Sequence, residues 1–162
     1  MRQRRVTLMT QAAMIAAIYV VLCLVFAPIS YKEMQIRIAE ALCILPYFTP
    51  AAIPGLFIGC LIANALGGSI LLDVIGGSLA TLLGALGTYW LRRKSKWLAS
   101  IPPVVTNVLI VPFVLHYGYG IRLPIPVLMS TVGAGQCISC IVLGQLLLSA
   151  LAKVRGKLFK DL

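Results

Sequence analysis

Charged residues are scarce in this chain. Four of its 162 residues are acidic, and charged residues of both signs make up 11% of the total. A soluble domain carries about 25% charged residues. This deficit argues against a soluble globular protein, and it makes the position of each acidic residue informative.

Sequence motifs for common enzymatic chemistries are also missing. The chain has no G-x-x-x-x-G-K-[ST] phosphate loop, no H-E-x-x-H motif and no G-x-S-x-G motif. Its five cysteines lie within apolar stretches without zinc-finger spacing, and buried free thiols are the simpler interpretation. We therefore expect no metal, no cofactor and no enzymatic activity, and an intramembrane enzyme is the weaker functional class.

Long uncharged stretches are abundant instead. Residues 6–31, 41–72, 74–91 and 123–152 carry no charged side chain, and residues 97–121 contain His116 as their one titratable group besides tyrosine. About 20 mostly apolar residues are enough to cross a bilayer as a helix. The pattern predicts an all-α integral membrane protein.

Six transmembrane helices are predicted, in one domain that covers residues 1–162. Pro46 and Pro50 interrupt the second, which makes it short, and the third begins near Pro54, a favourable residue for a first turn. The predicted ranges are approximately 7–27, from 36, 54–67, 70–91, 97–117 and 124–152.

The basic residues indicate the orientation. Eleven of the fourteen lie in three clusters, before the first helix, between the fourth and fifth, and after the last. Cytoplasmic loops of membrane proteins are enriched in Lys and Arg, so we expect both termini in the cytoplasm of a multi-pass cell-membrane protein. The same placement argues against a nucleic-acid-binding surface, and leaves Lys32, Arg37 and Arg122 outside.

Several polar residues fall inside the predicted helices. Glu40 lies about one turn, roughly 6 Å, below the outer boundary, and we expect Asp73, Asn64 and His116 at a similar depth. Charged groups inside a membrane are costly and usually face a cavity or a partner. These residues predict a pocket that opens to the outside, and the alternative is that they pair with each other to lock the helices together.

Other residues complete this candidate site. Asn107 and Gln136 are expected nearer the middle of the membrane. Arg37 precedes Glu40 by three residues, so an ion pair on one helix face is an alternative to ligand binding by Glu40. Asp73 has no basic neighbour within a turn, which favours a functional role, and Tyr31 supplies either ring stacking or an interface anchor.

Small residues form a separate pattern on the first helix. Ala12 and Ala16, and likewise Ala13 and Ala17, are four residues apart. Faces of this kind permit close contact between helices. Internal packing and a surface for a partner protein are both open interpretations.

Three stretches together, RIAEALCILP, AAIPGLFIGCLIANALGG and LLDVIGGSLATLLGALGTYWLRR, resemble the QueT family, with the likeness running from the first helix to the last. Members are substrate-binding S components of energy-coupling factor (ECF) transporters associated with queuosine precursors. The resemblance implies three partner subunits, namely a transmembrane coupling subunit that docks on the alanines of the first helix and two ATPases.

The implied ligand is a 7-deazaguanine, either 7-aminomethyl-7-deazaguanine or queuine. Its N–H groups and its cationic aminomethyl group match two carboxylates, and Asn107 and Gln136 would contact the remaining edge. These contacts are inferred from residue chemistry and depth. An S component for a different vitamin or nucleobase, and an intramembrane enzyme, are the alternatives.

Overall fold

The computed structural model of the chain describes residues 2–26 and 37–158, although not the side chains of Arg2 and of residues 154–158. All regular structure in these ranges is helical. The elements are α1 (Arg2–Val25), a 3₁₀ helix (Ile38–Tyr47), α2 (Ala52–Leu66), α3 (Leu71–Leu91), α4 (Ile101–Phe113), α5 (Ile125–Gln136) and α6 (Gly144–Leu158). A short 3₁₀ turn (Leu98–Ser100) precedes α4, one π-helical segment (Val114–Gly118) follows it, and a second π segment (Cys137–Leu143) joins α5 to α6.

Four helical stretches are long and apolar enough to cross a membrane. They are Gln3–Val25, Leu71–Leu91, Leu98–Gly118 and Ile125–Lys153. The 3₁₀ helix and α2 are also apolar, but they have 10 and 15 residues. The all-α prediction is therefore confirmed for the described residues, while the count of six spans and the cytoplasmic position of the termini stay predictions.

The second predicted helix is short, as expected, but it is a 3₁₀ helix. Pro46 lies inside it rather than ending it, and the helix closes where the Phe48 N–H donates to the Leu45 carbonyl at 2.9 Å. Residues 39 to 46 are all buried, because α1, α2, α3, α6 and the second π segment pack against the helix. An apolar run buried on all sides needs no polar face. Glu40 is therefore placed in the interior of the helix assembly.

Glycine brings α1 and α2 into backbone contact. A Cβ atom on Gly55 would lie 2.7 Å from the Ala12 carbonyl oxygen, and one on Gly59 would lie 3.1 Å from the Ala16 Cα. Real Cβ atoms do not approach neighbouring atoms at 2.7 Å, so the two helices are closer than any larger residue would permit. The small residues of α1 thus pack, in part, against glycines of the same chain.

A similar contact joins α3 to α4. Cβ atoms on Gly84 and Gly87 would lie 2.7 Å from the Pro103 Cα and 2.5 Å from the Pro102 Cβ. Both prolines occupy the first turn of α4, where the missing N–H has no partner in the helix in any case. Rigid proline rings therefore fill the space that the two glycines leave.

The helix ends and interruptions differ from the sequence prediction. The last helix extends to Leu158 rather than residue 152, and it contains the π segment Cys137–Leu143. The first helix begins at Arg2 instead of Thr7. Hydropathy identifies only the apolar part of a helix. The basic residues on either side continue the same backbone hydrogen bonding, so composition does not predict where the helix ends.

A glycine substitution tests the contact between α1 and α2. Gly55→Ala should destabilise the protein by about 1–3 kcal/mol, because the new Cβ meets backbone rather than a movable side chain. Gly133→Ala is the matched control, since its Cβ would lie 3.4 Å from the Val108 Cγ2, an ordinary contact distance. Thermal unfolding in detergent compares the two, and an unchanged Tm for Gly55→Ala would contradict the packing.

Candidate functional site

Glu40 lies near the start of the 3₁₀ helix and is 1% exposed. The Tyr19 hydroxyl of α1 donates to its Oε1 at 2.5 Å, and the Cys43 thiol donates to its Oε2 at 3.0 Å. Among the described residues, Glu40 has no salt bridge. Its carboxylate is thus held by two uncharged donors, with lone pairs left for further hydrogen bonds.

Asp73 has a different environment. It lies in the first turn of α3, where the helix dipole favours a negative charge, and it is 2% exposed. The Tyr119 hydroxyl donates to its Oδ2 at 2.9 Å, and the Arg37 Nη2 lies 3.9 Å from the same oxygen. The carboxylate that lacks a basic neighbour in sequence therefore has one in space, contributed by a different segment of the chain.

Arg37 itself is buried, with 6% of its surface exposed. Its position in the sequence predicts a residue on the outer side of the membrane. An ion pair with Glu40 on the same helix face was the alternative to ligand binding by Glu40. The structure directs the guanidinium to Asp73 on α3 instead. This reversal was not readable from spacing, because the residues before the 3₁₀ helix do not continue its helical repeat: Arg37 has extended backbone angles.

Tyr119 follows the first π segment and remains a hydrogen-bond donor at neutral pH. Burial raises the pKa of its hydroxyl, and the negative charge of Asp73 shifts that pKa in the same direction. A protonated phenol keeps donating to Asp73.

A glycine keeps space open beside Asp73. A Cβ atom on Gly77 would lie 3.2 Å from the Asp73 Oδ1 and 3.1 Å from the Asn64 Nδ2. The Asn64 amide donates to the Asp73 carbonyl at 3.4 Å and approaches the Cys60 sulfur at 3.6 Å. Its Oδ1 is buried and has no hydrogen-bond partner within residues 2–26 and 37–158. The structure thus brings Asn64 and Asp73 together, as the sequence analysis expected.

Asn107 and Gln136 are also buried, each anchored at one end. The Asn107 Nδ2 donates to the Pro103 carbonyl at 2.8 Å, and the Cys140 thiol donates to the Gln136 Oε1 at 3.1 Å. The Asn107 Oδ1 and the Gln136 Nε2 have no hydrogen-bond partner in the described part of the chain. Three carboxamides therefore each present one unused polar atom.

Two residues that the sequence analysis did not single out connect these groups. Cys140 lies 3.6 Å from the Glu40 carbonyl oxygen as well as contacting Gln136, so it links the last helix to the 3₁₀ helix. Tyr19 holds Glu40 from α1 and is fully buried. A single tyrosine in the middle of an apolar helix was the available signal, because a buried phenol needs a hydrogen-bond partner.

Two candidates from the sequence analysis remain, His116 and Tyr31. The His116 Nδ1 lies 3.3 Å from the Leu123 carbonyl oxygen, and its ring contacts Tyr117 edge to face at 4.9 Å. None of these contacts reaches Glu40 or Asp73. Tyr31 lies outside the described residues.

The four alanines of α1 divide into two pairs. Ala16 is 8% exposed and Ala12 is half-buried, since both face the glycines of α2, whereas Ala13 and Ala17 are exposed. An apolar groove of about 540 Å³ lies between α1 and the start of α2. Its lining residues are Leu8, Met9, Ala12, Ala13, Ala16, Pro50, Ala51, Pro54 and Ile58.

A double-mutant cycle measures the ion pair. Arg37→Gln leaves the Asp73 carboxylate buried without its cation, and should destabilise the protein by about 3 kcal/mol. Adding Asp73→Asn should recover part of that loss, with a coupling energy of about 0.5–3 kcal/mol. Denaturant unfolding in detergent gives the four stabilities.

Arg92→Gln serves as the control for that cycle. Arg92 stacks on the Tyr89 ring at 3.9 Å in a more accessible position, so its loss should cost less than about 1 kcal/mol. Strictly additive effects of the Arg37 and Asp73 substitutions would show that the two side chains do not interact.

Comparisons with known proteins extend these observations. A search of the curated proteins and of the solved structures finds no match. The model of the family described as QueT transporter matches residues 9–153, which is most of the chain and includes every polar group described above. The four membrane-length apolar helices agree with a membrane transporter. The chain belongs to the QueT transporter family.

Proposed function

We propose that this chain is the substrate-binding S component of an ECF transporter, which captures a queuosine precursor at the outer face of the cell membrane. Six membrane spans with both termini in the cytoplasm, and energy supplied by two ATPase subunits through a coupling subunit, belong to the same proposal. Membership of the QueT transporter family supports it. A transport component of this kind catalyses no reaction itself.

The unused polar atoms of buried side chains carry the proposal. Asn64 retains a buried acceptor oxygen without a partner among the described residues. The Asn107 oxygen and the Gln136 nitrogen also make no hydrogen bond within the described part of the chain. Buried polar groups are hydrogen-bonded in the great majority of cases, because an unpaired one costs free energy. A ligand that supplies the missing partners would recover that free energy on binding.

The chemistry of a 7-deazaguanine fits this set. Its guanine-like edge offers ring N–H and amino donors for the amide and carboxylate oxygens, and it offers acceptors for a donor such as the Gln136 amide. Its aminomethyl group is cationic at neutral pH. The acceptor oxygens of the carboxylates and amides therefore match a ligand rich in N–H groups.

The two carboxylates have separate roles in this proposal. Asp73 already has Arg37 as a positively charged neighbour, so it needs no second cation. Glu40 is held by Tyr19 and Cys43, which are both uncharged. We assign Glu40 to the cationic aminomethyl group and Asp73 to the donor edge of the heterocycle. Because both carboxylates are nearly inaccessible, ligand entry requires a rearrangement around them.

Ligand binding tests the assignment. Glu40→Gln keeps the shape of the side chain and an acceptor for Tyr19 but removes the charge, so binding of 7-aminomethyl-7-deazaguanine should weaken roughly 10- to 100-fold. Calorimetric titration of the purified protein measures it, and Asp161→Asn is the control that removes an acidic charge near the C-terminus. Mass spectrometry of ligand retained by the wild type identifies the precursor.

Two results would count against this reading. Wild-type protein that binds neither 7-aminomethyl-7-deazaguanine nor queuine would overturn the proposed substrate. Glu40→Gln protein that binds as tightly as wild type would leave the substrate standing and remove Glu40 from its recognition.

A partner surface on α1 is the second part of the proposal. Ala13 and Ala17 are exposed, and Ala13 also lines the apolar groove, whereas Ala16 packs against Gly59 of α2. Small exposed residues allow another helix to approach closely. We therefore assign docking of the coupling subunit to the Ala13 and Ala17 side of α1.

Co-purification tests this surface. Ala17→Trp should abolish recovery of the coupling and ATPase subunits with the tagged chain while ligand binding is retained. Leu83→Trp is the control, because Leu83 is equally exposed on α3, away from α1. Normal assembly of the Ala17→Trp variant would exclude this side of α1 as the docking surface.

A further inference from the structure

Ser139 is a buried serine whose hydroxyl has no hydrogen-bond partner among the residues that the structure describes. It is 0% exposed, and it lies in the second π segment, Cys137–Leu143. The sequence analysis did not select it, since serine within an apolar helix is usually satisfied by its own backbone. An unpaired buried hydroxyl costs free energy, so its presence needs a reason.

Other helical hydroxyls in the described part of the chain show what is unusual here. A serine or threonine inside a helix normally bonds to a backbone carbonyl three or four residues earlier. This bond forms at Ser78, Thr81, Thr106, Ser130 and Thr131.

Ser139 differs from these residues in both hydrogen bonding and backbone. Its hydroxyl has no partner among the described residues, and it lies in a π turn, whose backbone N–H groups bond to the carbonyl five residues earlier. Such segments occur frequently at functional sites.

The surroundings of Ser139 relate it to the candidate site. The π segment packs against the 3₁₀ helix that carries Glu40. The next residue, Cys140, contacts both the Glu40 carbonyl oxygen and the Gln136 side chain. Ser139 thus directly precedes the residue that contacts both Glu40 and Gln136.

A further donor would complement the free acceptors of the site. The Glu40 and Asp73 carboxylates and the free oxygens of Asn64 and Asn107 are acceptors, and among the unused carboxamide atoms the Gln136 Nε2 is the donor. A 7-deazaguanine presents a carbonyl oxygen and one ring nitrogen that accept hydrogen bonds. A second donor beside Gln136 would pair with the carbonyl oxygen.

We infer that the Ser139 hydroxyl is a specificity-determining contact, which donates a hydrogen bond to the carbonyl oxygen of the bound 7-deazaguanine. This inference rests on the proposed function. The hydroxyl has no partner among the described residues, and the carbonyl oxygen of the ligand would supply one.

Two measurements on Ser139→Ala test it together. Binding of 7-aminomethyl-7-deazaguanine should weaken roughly 2- to 10-fold, as expected for the loss of one neutral hydrogen bond. The Tm of the ligand-free variant should stay the same or rise, because no protein hydrogen bond is lost. Ser130→Ala, in the same helical segment, is the control whose hydroxyl bonds to the Val127 carbonyl, and it should leave affinity unchanged.

An analogue without the carbonyl oxygen gives the decisive comparison. Wild type and Ser139→Ala should bind it equally, since the paired atom is missing from the ligand. Ser139→Ala protein that binds the complete ligand as tightly as wild type, or that loses stability without ligand, would overturn the inference while leaving the proposed function intact. Wild-type protein that binds no 7-deazaguanine would overturn the proposed function and this inference together.

Discussion

The hydrogen bond from Tyr19 to Glu40 is the contact on which the interior depends. A carboxylate buried in an apolar assembly is costly unless it accepts hydrogen bonds. Tyr19 supplies one donor from α1, and Cys43 supplies another from within the 3₁₀ helix. Because Cys140 reaches the carbonyl of the same residue, three parts of the chain meet at Glu40.

Asp73 shows the other way to keep an acidic residue inside. A cation, a phenol and the start of a helix each contribute favourably to its charge, from three separate segments. The two acids therefore differ in their partners. Asp73 has a positively charged neighbour, Arg37, whereas Glu40 accepts hydrogen bonds from two uncharged donors. That difference, rather than their shared burial, is what separates their proposed roles.

Much of the fold was predictable from the sequence, and the reason is physical. Long apolar stretches must form helices in a membrane because their backbone groups have no other partners. Internal packing and a partner surface were both open for the small residues of α1, and the glycines of α2 show internal packing at Ala12 and Ala16. The grouping of Asn64 with Asp73 also followed from depth alone.

Other features were not predictable because they depend on contacts between distant segments. Spacing suggested Arg37 and Glu40 as the ion pair, whereas the chain direction before the 3₁₀ helix turns Arg37 towards Asp73. Hydropathy does not distinguish α, 3₁₀ and π hydrogen bonding, so neither the 3₁₀ form of the second segment nor the π segment with Ser139 could be read from composition.

The glycine contacts have a mechanical consequence. Where Gly55 and Gly59 meet α1, and where Gly84 and Gly87 meet the prolines of α4, backbone lies against backbone or ring. Such joints cannot slide without a collision, so each helix pair moves as a stiff unit. Displacement is cheaper along the boundaries that side chains fill, where a few hydrogen bonds can exchange partners. The 3₁₀ helix with Glu40 is held through side-chain contacts of this kind, from Tyr19 and from Cys140.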